Sequence, residues 1–194
     1  MTSAPLRSAE LTLAAVLVLA AVPQGAAAEA VLGPGVDWLV QGLFCAPDET
    51  GRREAPGTMS GWIHVPDTPV AMVTEGTVAP AVLGMGFGVR FQRSGADLAA
   101  LRYEVRHPPM GPGAVTVQAW DSTSMGGAED AIFFQFDVAE ELVTGPWEFR
   151  AFEGGRELFR APFAVVAPGT VPELAALCRS GMMMSALLAP LRGG

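Results

Sequence analysis

The chain has 194 residues, and its 12 basic residues, all Arg, stand against 20 Asp or Glu for a net charge of −8. Neither Lys nor Asn occurs, which excludes a Schiff-base lysine, a Ser–Lys dyad, a P-loop lysine and a Cys-His-Asn triad, and removes Asn-Gly hairpin turns. So acidic a chain is repelled by nucleic acid and by anionic membranes, and neither is expected as a partner.

Met1–Glu10 carries one base, Arg7, and Leu11–Val22 is an unbroken apolar run. Twelve residues are too few to span a bilayer as a helix, which takes about 20. Pro23-Gln24-Gly25 breaks the run and Ala26-Ala27-Ala28 supplies the small residues of a cleavage site. Residues 1–28 therefore predict a signal peptide cut after Ala28, leaving a periplasmic or secreted protein. Cleavage removes Arg7 and Glu10 and so leaves the charge at −8. Cys45 and Cys178 are the two cysteines, and in an oxidising compartment the expected state is one disulfide.

Beyond residue 28 the dominant pattern is alternation with period two, the signature of half-buried strands. Trp38–Cys45, Thr58–Val65 and Pro69–Thr77 are the first strand candidates. Val82–Phe91 is clearer, with Leu83, Met85, Phe87, Val89 and Phe91 on one face and Gly84, Gly86, Gly88 and Arg90 on the other. Glycine at alternate positions flattens one face and allows close approach of another backbone, a side chain or a ligand ring. Leu101, Tyr103 and Val105 predict the inward face of Ala100–His107, followed by Val115, Val117 and Ala119, then Ile132, Phe134, Phe136 and Val138. Trp147, Phe149 and Ala151 lead into Glu153-Gly154-Gly155-Arg156, a hairpin turn built on Gly-Gly. The return strand places Phe159, Ala161, Phe163 and Val165 inward, and Pro162 assigns it an edge or a bulge. Thr170-Val171-Pro172-Glu173 reads as a capping box opening a helix with Leu174, Leu177 and Cys178 on one face. Gly181 is its expected stop, and Met182–Leu191 is an apolar tail packed on the same domain. The sum is an all-β protein: an antiparallel immunoglobulin-like β-sandwich over residues 29–170, of about 8–9 strands, with one short C-terminal helix and the tail over 171–194.

Four phrases taken in order carry a resemblance. They are Gly51-Arg52-Arg53-Glu54-Ala55-Pro56-Gly57-Thr58, Val78-Ala79-Pro80-Ala81-Val82-Leu83-Gly84 with Phe87-Gly88-Val89, His107-Pro108-Pro109-Met110-Gly111-Pro112, and Glu141–Phe149 (ELVTGPWEF). Together they resemble a family of exported bacterial proteins known as a domain of unknown function, over roughly Val36 to Val166. The resemblance implies export and a single β-rich domain. It brings no activity, cofactor or catalytic residue with it.

The candidate site residues are few. Arg52, Arg53 and Glu54 fall in a Gly- and Pro-rich loop, where a pair of guanidinium groups would clamp a carboxylate or phosphate or, more simply, pair with one of the chain's own acids. His64 and His107 each end a strand. They are either metal ligands, with Asp67 or Asp121 as a third, or histidines tied to turn backbone; no His-x-His or His-x-x-x-His pair favours the metal. Gly84–Gly88 lacks the Gly-x-Gly-x-x-Gly spacing, Asp121–Asp130 lacks the closing glutamate of a calcium loop, and Ser60 lacks the Gly-x-Ser-x-Gly elbow. Glu129/Asp130 and Glu140/Glu141, adjacent in sequence, read as solvated turn residues. With no cofactor motif, the expected function is a non-catalytic binding or structural module for a protein or cell-envelope component. The alternative is a small-ligand-binding or metal-dependent hydrolase using His64 and His107.

Overall fold

The computed structural model describes residues 29–46 and 51–178. The expected signal peptide, the helix stop at Gly181 and the apolar tail lie outside the described residues. Twelve strands run in chain order: β1 (Val31–Leu32), β2 (Val36–Cys45), β3 (Gly51–Glu54), β4 (Trp62–Val65), β5 (Met72–Glu75), β6 (Val78–Pro80), β7 (Met85–Arg93), β8 (Leu98–Met110), β9 (Val115–Met125), β10 (Glu129–Gln135), β11 (Gly145–Glu153) and β12 (Arg156–Val166). The excess over eight or nine comes from β1 and β6, too short to show alternation, and from β3.

One sheet is ordered β1-β12-β11-β8-β9, with β6 also on the β1 side of β12; the other is β10-β7-β2-β5. All pairings are antiparallel except the short parallel contact of β6 with β12. The inward residues of the two sheets meet in one aromatic core. Phe87 of β7 packs against Trp147, Phe149 and Phe163 of the facing sheet, with ring centroids 5.2, 5.5 and 5.3 Å away. Phe91 meets Phe159 at 4.9 Å. Sandwiches hold together in this way, with alternate side chains of two sheets interdigitating.

The hairpin at Gly154-Gly155 forms as expected, with φ of +55° and +84°, the left-handed pair that favours glycine at both turn positions. Pro162 sits on the outer side of β12 in the gap between β1, which pairs at Phe159 and Arg160, and β6, which pairs at Ala164–Val166. No neighbour there requires its missing N–H. The helix occupies residues 172–178. It begins one residue later than the capping box places it, because Thr170 closes a 3-10 turn over Pro168–Thr170 and Pro172 takes the first helical position. Leu174 and Leu177 pack on the core, and Cys178 is bonded to Cys45 across a separation of 133 residues.

Three inward assignments are corrected. Leu83 is exposed because the chain turns at Leu83-Gly84 before β7 begins. Val138 is exposed because β10 has already ended. In β9 the register pairs Val117 with outward Arg106 and Gln118 with inward Val105, so Val117 faces solvent and Gln118 is buried. A polar residue takes the inward place because it has specific partners there, described below.

The alternating glycines of β7 are explained by its neighbour β10. A methyl group at Gly88 would run into the Ile132 carbonyl and the Phe133 backbone. Gly88→Ala is therefore expected to cost about 1–3 kcal/mol, as overpacking does. Gly169→Ala, with nothing within 4 Å of the added methyl, should stay within about 0.5 kcal/mol. Urea unfolding midpoints of the two variants check the contrast.

Candidate functional site

Sheet edges shape the site. β9 ends one sheet and β10 ends the other, so a groove opens between them on one side of the sandwich. The two-stranded β3–β4 unit stands over this groove. The segment between its strands is a compact turn in which the Thr58 hydroxyl donates to Ala55 O and Trp62 O at 2.8 and 3.1 Å. Two contacts dock it on β9. Ala119 N–H donates to Gly57 O at 3.0 Å, and Met59 N–H donates to the Gln118 side-chain carbonyl at 2.8 Å. Any side chain at Gly57 would collide with the Ala119 carbonyl, so this glycine is what lets the two backbones meet.

Gln118 also explains His107. Its amide donates to His107 Nε2 at 3.2 Å, while His107 Nδ1–H donates to Pro108 O at 2.8 Å. The imidazole is buried, with its ring centroid 4.7 Å from that of Trp147. Burial holds it below the ordinary value of 6.5, and the Pro108 hydrogen bond only partly opposes this. Both nitrogens are occupied and His107 makes no contact with His64. The two histidines sought as a metal pair are therefore not brought together. Among the described residues no three His, Cys, Asp or Glu side chains are grouped to hold a metal ion.

A His with a depressed folded-state value binds its proton more readily when unfolded, so its contribution is fully present above about pH 6.5 and is lost as pH falls through the folded-state value. Unfolding midpoints at pH 7.5 and pH 5 should therefore fall further for the native chain than for His107→Gln, which retains hydrogen-bonding capacity but does not titrate.

Arg52, Arg53 and Glu54 lie on a strand rather than in a loop. Their cross-strand partners are His64, Ile63 and Trp62. The Arg52 guanidinium carbon sits 3.8 Å from the Trp62 ring centroid, a cation–π contact. Glu54 is exposed opposite Trp62. Among the described residues neither Arg52 nor Arg53 has a carboxylate partner within 4.0 Å; the other arginines mostly do, chiefly in the charge lattice on the outer face of β8, β11 and β12.

Under the β3–β4 roof the groove holds a cavity of about 420 Å³. Its apolar wall includes Trp62, Ile63, Trp120, Ile132, Phe133 and Phe134, and Arg53 and His64 reach it from the roof. Three carboxylates face it. Asp130 accepts the Tyr103 hydroxyl at 2.8 Å and its neighbour's Ala131 N–H at 2.7 Å. Burial and the Asp130 carboxylate push the Tyr103 phenol well above its ordinary range. Asp137 lies 2.8 Å from His64 Nε2 and accepts from Gln135 at 2.7 Å. Burial opposes its ionisation, but these hydrogen bonds outweigh it and hold the group below the usual carboxylate value. Glu141 is 94% buried, since only 6% of its surface is exposed. One oxygen, Oε2, accepts the N–H groups of Asp137 and Val138 at 2.6 and 3.2 Å. Burial raises its value, with Asp137 adding to the rise, although the two backbone donors oppose it.

The adjacent-acid reading is thus half right. Glu129 and Glu140 are exposed, but Asp130 and Glu141 line the cavity. For Glu141 the spacing carried a signal: a glutamate reaching back three residues to the N–H that opens a helical turn is half of a capping box, here around Ala139–Glu141. Asp137, Trp120 and Tyr103 carried none, because strands far apart in sequence assemble them.

Fold and site together define a β-sandwich closed by one disulfide, with an aromatic, acid-lined groove between its two sheet edges. Residues 34–165 match the family described as a domain of unknown function (DUF3859), and the chain belongs to that family. It is also similar to an immunoglobulin-like protein from Pseudomonas aeruginosa known from a crystal structure, at 24% identity and a TM-score of 0.46, covering 73% of this chain and 100% of that one. No curated protein matches it.

Proposed function

We propose that the protein is an exported, non-catalytic binding module that engages a protein of the cell envelope through the groove between β9 and β10. The observation that carries this reading is the cavity of about 420 Å³ between two sheet edges, where aromatic side chains and polar groups line one concave surface. Binding sites are built in this way, as concave apolar surfaces with a few placed polar groups. The apolar run Leu11–Val22 followed by Ala26-Ala27-Ala28, together with the disulfide, supports export.

Mass spectrometry of protein recovered from the periplasm should give a chain beginning at Glu29. A photo-crosslinking residue at Ser60, on the rim of the groove, should form an adduct there that the same residue at Arg160, on the outer face, does not. Equal labelling at the two positions, or labelling at Arg160 alone, would remove the groove from the binding surface.

A further inference from the structure

Charge and backbone geometry in the groove narrow what it takes. We propose that it binds a lysine or arginine side chain of a protein partner, presented on an extended segment that lies along β10. This inference rests on the reading of the groove as the binding surface.

The electrostatics favour a cation. Asp130, Asp137 and Glu141 face the cavity, against one permanent cation, Arg53. Asp130 and Asp137 each have both oxygens engaged, but Glu141 does not. Its Oε1 has no hydrogen-bond partner among the described residues, while the rest of the side chain is fixed by two backbone donors. That oxygen is open to the cavity rather than sealed from it, and a charged N–H donor entering the cavity supplies the missing bond in its strongest form. The walls suit the stem of such a side chain, since Lys and Arg lay their methylenes along apolar surface. Trp62 already shows that its ring face accepts a guanidinium, with Arg52 3.8 Å from its centroid. The chain has no Lys, so a lysine ammonium must come from outside.

The edge strand favours a peptide over a free amine. Ladder register and the bonds at the end of β10, where Phe136 N–H donates to Met85 O, direct the backbone groups of Ile132, Phe134 and Phe136 toward β7. Those of Ala131, Phe133 and Gln135 then face the other way, because successive residues alternate. The Ala131 N–H is taken by Asp130. The Phe133 N–H and C=O have no partner among the described residues. An extended segment pairing there would satisfy both groups and place every second side chain into the groove.

The test titrates the purified protein with acetyl-Val-Lys-Val-Val-amide and follows the fluorescence of Trp62 and Trp120. Saturable binding is expected, weakened at least tenfold by acetylating the lysine or replacing it with Glu, and at least tenfold by Glu141→Gln. Because Glu141→Gln could unfold the turn it caps, Ser122→Arg is the second variant: it leaves that turn intact and places a cation of the chain's own at the cavity wall, and it should abolish binding. Free n-butylamine should bind at least tenfold more weakly than the peptide. Stronger binding of the Glu peptide, equal binding of the acetylated peptide, butylamine matching the peptide, or no binding at all would each overturn the proposal. Should Ser60 cross-link a partner while the lysine peptide fails, the groove remains the binding surface and only the cationic ligand is wrong; failure of both removes the groove itself.

Discussion

Replacing Phe87 with Ala is expected to cost about 3–5 kcal/mol, the range for truncating a fully buried aromatic residue. Phe87 is fully buried on β7, which has β2 on one side and β10 on the other. Its ring is shared by both sheets: Phe134 and Phe136 lie 6.1 and 5.5 Å away within its own sheet, and Trp147, Phe149 and Phe163 face it from the other. Neighbours fixed on two pleated sheets cannot collapse into the space a phenyl ring leaves, so the cavity penalty adds to the lost transfer energy. Phe87→Leu keeps most of the volume and should cost roughly 1–2 kcal/mol. Urea unfolding checks both values. In thermal unfolding the Ala variant should melt about 10 °C lower, given roughly 2–4 °C per kcal/mol for a domain of this size. A loss under about 1 kcal/mol for Phe87→Ala would mean that the two sheets do not share this ring.

Phe87 was legible in the sequence, and so was most of the framework around it. Met85 to Phe91, Leu101 to Val105, Trp147 to Ala151 and Phe159 to Val165 alternate strictly, and each has one face in the core and the other against solvent or a neighbouring backbone. Alternation fails where a residue's partner, not its hydropathy, decides its direction. Gln118 points inward because His107 and Met59 N–H await it, and Val117 must then point out. The site was legible only in part. Arg53 and His64 line the groove, but on a strand pair whose first strand, Gly-Arg-Arg-Glu, has no apolar face to announce it. The acids that matter come from β10 and the turn after it, and Trp120 from β9. Nothing local marks a side chain as opposite a residue 73 positions away, as His64 is opposite Asp137.

The same long-range closure makes the disulfide the second large effect. Cys45 ends β2 and Cys178 sits in the helix at 172–178, with Cα atoms 5.2 Å apart and a sequence separation of 133. In the loop-entropy model a cross-link of that span stabilises by about 5 kcal/mol, and removing a native disulfide commonly costs 2–5 kcal/mol. The double variant Cys45→Ala/Cys178→Ala, which leaves no lone thiol, is expected to lose that amount. Part of the loss is contact rather than covalency, because the Cys178 sulfur lies 3.6 Å from the Phe44 carbonyl and 3.7 Å from the Met85 sulfur. The fully reduced native chain separates the two contributions: it keeps both sulfurs but frees the helix, so it should fall between the oxidised protein and the double variant, closer to the variant. Phe44, next to the bridge, packs on Phe133 at 5.9 Å, and Phe133 walls the groove. Reduction should therefore also change the fluorescence of Trp62 and Trp120 before the sandwich unfolds. If full reduction shifts the urea midpoint by less than the equivalent of about 1 kcal/mol, the helix is held by packing alone and the bridge does not close the fold.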